Sequence, residues 1–302
     1  MKKPLKHLTN LLRFNRGADI PTMGPLKAEW QVINQCNAKC LTCQDWQGRI
    51  DPTLLNTAEG KRLIRELADS GVLHLCFSGG EPLLRRDLID LINYAKKQGL
   101  TTSLMTNGLI LTERRARELA NAKLDTVFIS LDAADPKLND EIRGLRGYFN
   151  LAMSAIDNVK AMRSGGKPGI IIKATVSSKN VRHLAALAEL ADRRGIEGFR
   201  FQLAQVVKNA NFVFDRSLLL TDKERAILVQ QLDRLIQRFA YLLSGSLEYY
   251  QGLRDFLERP ESVRKFRSIS GFSFVVIDPW GRLFTSPAKV QEIGNIRRDS
   301  FQ

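Results

Sequence analysis

From residue 29 to residue 204 the chain alternates short apolar strands with amphipathic helices, and the order never breaks. Strands are expected near 29–34, 72–78, 101–106, 125–131, 169–176 and 198–204, and helices near 57–69, 86–98, 112–122, 148–163 and 181–194. Each helix carries apolar residues at helical spacing, as at Leu63, Ile64, Leu67 and Ala68. Thr57, Thr112 and Asn180 stand where N-caps belong, and Gly99 and Gly195 where helices should stop. Strict alternation argues for a parallel sheet with helices outside it, and right-handed crossovers order its strands sequentially. With 302 residues and 44% hydrophobic content, the chain can bury one barrel-sized domain plus an appendage.

The connection after the first strand holds three cysteines, Cys36, Cys40 and Cys43, in the order Cys-x3-Cys-x2-Cys; the remaining cysteine is Cys76. Iron–sulfur clusters usually take four cysteines, one per iron, so a compact trio suits a cubane cluster with one iron free of protein. An open metal position is what separates a reactive site from a structural one. Structural zinc uses similar spacing, and Cys76 or one of His7, His74 and His183 would complete a tetrahedron. On the cysteines alone both readings stand, although no second Cys-x2-Cys or His-x3-His pair accompanies the trio.

One expected helix further on, strand 72–78 runs directly into Gly79-Gly80-Glu81-Pro82. Two glycines after a strand let backbone approach a ligand with no Cβ in the way, and Glu81 offers a carboxylate to a cationic group. Alone this is an ordinary turn; behind the cysteine trio it is a second half of the same signal. Together the two motifs resemble those of the radical S-adenosylmethionine (radical SAM) superfamily. The resemblance implies an α/β fold, a partial (β/α)6 TIM-type barrel. It also implies a [4Fe-4S] cluster on Cys36, Cys40 and Cys43 whose free iron is chelated by the amino and carboxylate groups of S-adenosyl-L-methionine. Cleavage of that sulfonium by one electron, from a donor such as flavodoxin or ferredoxin, gives a 5′-deoxyadenosyl radical that abstracts hydrogen from substrate. Where the family has an aromatic residue before the third cysteine this chain has Thr42, so adenine is contacted by Thr42 or packed against a residue elsewhere, with Trp46 the candidate.

Further positions carry over from the resemblance. Gly79, Gly80, Glu81 and Pro82 line the cofactor. Thr106-Asn107-Gly108 resembles the family's stretch near cofactor or substrate. Ser130-Leu131-Asp132 resembles the stretch whose serine contacts the S-adenosylmethionine carboxylate; the alternative for Ser130 is capping of the next helix. Lys173 and Asn180 match polar positions of molybdopterin-precursor-synthase-like members, Lys173 otherwise forming an interior salt bridge with Asp132 or Glu81. Arg143 clamps a carboxylate or pairs with Asp140 at the surface. Strand phase adds its own argument: His74, Cys76 and Ser78 share a face, as do Phe128, Ser130 and Asp132, then Lys173, Thr175 and Ser177, then Arg200 and Gln202. Unsatisfied buried polar groups cost about 1–3 kcal/mol each, so these rows are expected to face an interior filled by cofactor and substrate. Cys76 reads as a small buried hydrophobe, with a hydrogen-donor role as the alternative.

After residue 205 the alternation ends. Residues 206–220 read as a connection, 221–243 as a long helix capped by Thr221 or Asp222, and 248–258 as a short one. Phe272–Ile277, the turn Asp278-Pro279-Trp280-Gly281 and Arg282–Thr285 have hairpin spacing. This tail resembles the SPASM or twitch extension of peptide-modifying and cofactor-building radical SAM enzymes, with Ser268 and Ser286 where auxiliary-cluster cysteines are expected. The expected units are therefore an N-terminal segment 1–24, a core 25–205 and an extension 206–302. No run of 18 apolar residues spans a membrane, and a reducing cytoplasm fits the free thiols. The formal charge of +14 is spread over separate elements and no Arg/Lys run interleaved with aromatics marks a nucleic-acid face. Nucleic acid is accordingly not the expected partner; a peptide or small-molecule substrate is, such as a tetrapyrrole precursor. Two further readings remain: a non-catalytic iron–sulfur or zinc module, and an RNA-modifying enzyme that docks through its charge.

Overall fold

The first six strands lie across one sheet in chain order, as alternation requires. The structure, a computed structural model, describes residues 3–18, 21–49, 51–205, 215–259, 261, 270–287 and 291–299. Helix α1 (Lys3–Asn15) precedes strand β1 (Lys27–Gln31), α2 (Thr57–Ser70), β2 (His74–Ser78), α3 (Leu88–Lys97), β3 (Thr101–Thr106), α4 (Glu113–Asn121) and β4 (Thr126–Ser130). Two helices, α5 (Pro136–Arg143) and α6 (Tyr148–Met162), then lead to β5 (Gly169–Val176), α7 (Leu184–Arg193) and β6 (Gly198–Leu203). All neighbouring pairs from β1 to β6 are parallel, the sheet of a partial (β/α)6 barrel.

Two helices were not anticipated. Helix α1 falls within the N-terminal segment 1–24, for which the sequence predicts no element; His7 Nε2 bonds the Gly71 carbonyl at 2.8 Å and fastens it below β2. Helix α5 is one eight-residue element, entered through Asp135, whose side chain accepts from Leu138 N, and Pro136, too short to show a repeating apolar face. At α2 the cap is Asn56 rather than Thr57: Asn56 and Glu59 exchange side-chain bonds to each other's backbone N–H, a capping box. Thr112 caps α4 as expected. Gly99 and Gly195 take positive φ beyond α3 and α7, where a Cβ would be strained. Asn180 makes no side-chain cap bond.

Strand phase sorts the two faces as expected. Leu75, Phe77, Val127, Ile129, Ile170, Ile172 and Ala174 are buried against the helices, each large side chain contributing about 1.5–3 kcal/mol. The other face is polar. Glu29, Cys76 and Ser103 are consecutive partners across β1, β2 and β3, and Ser130, Lys173 and Arg200 across β4, β5 and β6.

Beyond β6 come α8 (Asp222–Phe239), capped by Thr221 through a capping box with Glu224, and α9 (Leu247–Glu258); much of the expected connection, 206–214, lies outside the described residues. The tail forms β7 (Phe274–Ile277), β8 (Arg282–Phe284) and β9 (Glu292–Asn295). The hairpin is there, but it is no separate module: β7 pairs parallel to β1, with Ala28 opposite Val275, so one nine-stranded sheet runs through barrel and extension. Buried Asp278 fixes the hairpin turn, accepting from the backbone of Trp280 and Arg282 at 3.0 and 2.9 Å and pairing with the Arg282 side chain at 2.7 Å. Ser286 follows β8; Ser268 lies outside the described residues. Among the described residues no helix is long and apolar enough to cross a membrane.

His74, at the lower end of the polar interior, bonds the Thr101 and Ser103 hydroxyls at 3.0 and 2.9 Å. Burial, with Lys27 nearby, pulls its pKa from 6.5 down to about 4. Between those values the unfolded chain binds a proton that the native protein does not, so stability rises with pH across that window, by up to about 3 kcal/mol. Urea denaturation from pH 4 to 7 should show this rise, and His74→Gln should flatten it.

Candidate active site

The cysteine loop is held on both flanks by backbone pairing. On one flank Val32 N donates to Ser78 O at 2.8 Å, Gly80 N to Ile33 O at 2.9 Å and Glu81 N to Gln35 O at 2.7 Å, a ladder that ends beside Cys36. Both glycines are required sterically. A Cβ on Gly79, whose φ is +136°, would lie 2.5 Å from Ile33 O, and one on Gly80 would lie 1.9 Å from Gln35 O. On the other flank Leu41 N donates to Ile142 O at 2.9 Å, and a Cβ on Gly144 would lie 2.1 Å from Lys39 O. Helix α5 thus ends against the loop at Cys40.

Two N–H donors approach the sulfurs from these flanks. Asn107 Nδ2 lies 3.7 Å from Cys36 Sγ and also donates to Asn37 Oδ1 at 2.7 Å. Arg143 Nη1 lies 3.8 Å from Cys40 Sγ. Burial pushes the Cys36 thiol up to about 11 and Cys43 up to about 12. An iron–sulfur cluster fits these residues: metal binding stabilises the thiolate form that burial alone opposes, and N–H donors to the sulfurs adjust a cluster's potential. Thr42 is half-buried in the turn before Cys43. Trp46 sits close behind, its indole N–H donating to Cys43 O at 3.0 Å, with Lys39 Nζ 5.9 Å from its ring centroid.

Glu81 departs from expectation. Its carboxylate is wholly buried and already accepts three bonds, from Leu83 N at 3.0 Å, Thr106 Oγ1 at 2.7 Å and Asn107 N at 2.7 Å. It ties the Gly-Gly turn to the end of β3 instead of offering itself to a cationic ligand. Burial lifts its pKa to about 7 while those donors draw it down. Pro82 opens the tight turn Pro82–Leu84 that follows.

Asp132 and Arg143 form a buried ion pair at 2.7 Å, so Arg143 pairs neither with Asp140 nor at the surface. Asp140 accepts from Gly147 N and Phe149 N instead. Burial would lower Arg143, but Asp132 beside it drives its pKa up. Thr175 N donates to Asp132 Oδ1 at 2.7 Å, and Asn180 Nδ2 donates to the carbonyls of Asp132 and Thr175, both at 2.9 Å. Asn180 therefore ties the ends of β4 and β5 together. Lys173 bridges to neither Asp132 nor Glu81; its ammonium meets the Met105 sulfur at 3.2 Å. Burial lowers its pKa, and Glu29 partly offsets this. Ser130 does not cap α5, a role that Asp135 fills; its backbone carbonyl accepts from Tyr148 OH at 3.4 Å. Glu29, which accepts from Ser78 Oγ at 2.7 Å, was not singled out from sequence, although its phase within the first strand places it on the polar face. Cys76 is buried beside that same carboxylate, its thiol pushed up to about 12 chiefly by burial.

The sequence profile of the Radical SAM superfamily matches residues 30–197, the stretch that contains both flanks of the loop. The chain belongs to the radical SAM superfamily. Membership implies an iron–sulfur cluster and S-adenosylmethionine. The chain is 34% identical over 195 residues to mycofactocin maturase MftC of Mycobacterium tuberculosis, 65% of this chain and 47% of that protein. It is 31% identical over 199 residues to Fe-coproporphyrin III synthase of Methanosarcina barkeri, 66% of this chain and 49% of that protein. It therefore spans about half the length of these two relatives. Its fold is similar to that of Streptococcus suis SuiB bound to precursor peptide SuiA, with a TM-score of 0.71 at 19% identity, covering 98% of this chain and 66% of that one.

Gly80→Ala should break the pairing at Gln35 and loosen Cys36. After anaerobic reconstitution, iron and sulfide bound per chain should fall to less than half the wild-type value, measured by colorimetric assay.

Proposed function

We propose that this radical SAM protein is an enzyme that abstracts hydrogen from a peptide or cofactor-precursor substrate, using a [4Fe-4S] cluster on Cys36, Cys40 and Cys43. The observation that carries the reading is the backbone pairing of Gly80 and Glu81 with Ile33 and Gln35, which joins the two motifs into one site at the carboxyl ends of the strands, where barrels of this kind bind ligands. When bound, the cluster and S-adenosylmethionine supply a 5′-deoxyadenosyl radical.

The chain's own residues hold, orient and enclose. Gly79 and Gly80 present backbone without side chains, Pro82 turns the chain away, and Thr106 and Asn107 stand at the end of the next strand. Glu81 acts through these neighbours, holding the turn against β3. Ser130 and Lys173 share one interior row and are suited to the S-adenosylmethionine carboxylate, with Asp132 behind them; Thr42 and Trp46 border the adenine. Substrate takes the rest of the interior, where Arg200 extends the positive row and Glu29 gives a negative wall opposite Lys173. The names of the relatives support both classes: SuiB is bound to a precursor peptide, and the synthase is named for a tetrapyrrole product, Fe-coproporphyrin III. An acidic flavodoxin or ferredoxin suits a chain of charge +14 as electron donor.

Reconstituted anaerobically with iron and sulfide, then given S-adenosylmethionine and dithionite, the protein should release 5′-deoxyadenosine, detected by chromatography. Cys40→Ala should reduce that release at least a hundredfold. A colourless protein that holds one zinc and releases none would refute the proposal.

A further inference from the structure

Arg143 places Nη1 3.8 Å from the Cys40 sulfur, and the fold immobilises it from several sides. Its guanidinium is 2.7 Å from Asp132 and lies 5.5 Å from the centroid of the Tyr148 ring. Asp132 is itself fixed by Thr175 N, and its backbone N–H donates to Asn139 Oδ1 at 2.9 Å. The backbone at Ile142 and Gly144 packs on the cysteine loop, so guanidinium and sulfur are carried on two segments that cannot drift apart. Cys36 receives a neutral donor from Asn107; Cys40 receives a charged one. Charge-assisted bonds are roughly twice as strong as neutral ones, and hydrogen bonds to the sulfurs are among the levers that set a cluster's reduction potential.

We propose that Arg143 makes the cluster easier to reduce: its N–H donates to the Cys40 thiolate, and its positive charge stabilises the electron added to the iron–sulfur core. Asp132 is a positioning residue that acts through Arg143. Reduction is a one-electron transfer from an external donor, with no bond made or broken and with Arg143 keeping its proton throughout. The inference rests on the reading that Cys36, Cys40 and Cys43 hold the cluster. If Arg143 served only to neutralise Asp132, its removal would change stability and leave the potential where it was.

The test is an anaerobic redox titration of the reconstituted full chain with dithionite, followed by electron paramagnetic resonance of the reduced cluster, with iron and sulfide measured on each sample. Arg143→Gln should keep its iron and sulfide while the reduction equilibrium falls at least tenfold, a midpoint about 59 mV more negative for one electron. Arg143→Lys, which keeps the charge and loses the fork, should fall between. Asp132→Asn, which removes the countercharge and keeps the guanidinium, should move the midpoint the other way. A loaded Arg143→Gln protein with the wild-type midpoint would overturn the proposal. If that variant takes up no iron, Asp132→Asn decides: a midpoint unmoved or more negative rejects the role. Failure of the wild-type chain to take up a cluster would instead refute the proposed function.

Discussion

The site depends on two backbone bonds, Gly80 N to Ile33 O and Glu81 N to Gln35 O. Each is an ordinary hydrogen bond, contributing roughly 0.5–1.5 kcal/mol net. Their importance is geometric, because they continue the pairing of β1 with β2 past the ends of both strands and deliver the loop to the turn. No residue with a Cβ can take the place of Gly79 or Gly80 without driving atoms into the Ile33 or Gln35 backbone. The glycines are therefore needed for the protein's contact with itself as well as for any ligand. Glu81 completes the arrangement: its three donors come from its own turn and from the end of β3, so loop, turn and third strand form one unit.

A second unit faces it across the loop. Asp132 at the end of β4, Asn139 and Arg143 on α5, and Asn180 after β5 are tied to one another by hydrogen bonds and one ion pair, although Asp132 Oδ2, Arg143 Nε and Asn139 Nδ2 are left without a hydrogen-bond partner among the described residues. A buried ion pair of this kind is weak evidence for stability, since desolvation offsets most of its attraction. What it supplies is position. Arg143 is placed at Cys40 and the ends of β4 and β5 are locked together, which leaves Ser130 and Lys173 facing the interior on a rigid wall. Among the described residues Lys173 forms no direct ion pair, Glu29 offsets its burial only in part, and Arg200 beside it continues the positive row.

Much of this was legible in the sequence, for reasons tied to particular residues. Strand phase alone separates Leu75 and Phe77 from Cys76 and Ser78, because side chains alternate along a strand, and that separation holds. The motif glycines were read as making room for a ligand, which left out their tighter constraint against Gln35; a contact between residues so far apart in sequence leaves no local trace. Glu81 was misread for the same reason, since a carboxylate's partners cannot be counted from its neighbours in the chain. Thr57 and Asn56 are both capping residues, and only the reciprocal bond with Glu59 distinguishes them. Helix α5 is too short for periodicity, yet it carries Arg143, whose expected surface partner, Asp140, stands three positions back on the same helix and whose actual partner, Asp132, lies at the end of β4.

The tail changes the meaning of the core. A hairpin was legible from Asp278 to Gly281, but which edge it would join was not, and the edge it takes is that of β1, the strand that leads into the cysteine loop. From there it reaches back over the loop's far end: Leu55 N donates to Pro279 O at 2.9 Å, the Trp280 indole to Asp51 at 2.8 Å, and Arg297 pairs with Glu59 at 2.7 Å. The loop that carries three cysteines is consequently fixed at its start by β2, at its middle by α5 and at its end by the hairpin. An extension without cysteines of its own still bears on the site in this way, by limiting how far the segment between Cys43 and α2 can move. Loops of this length are ordinarily among the least stable parts of a fold, and here three separate elements oppose that tendency at the point where the sulfurs must keep their relative positions.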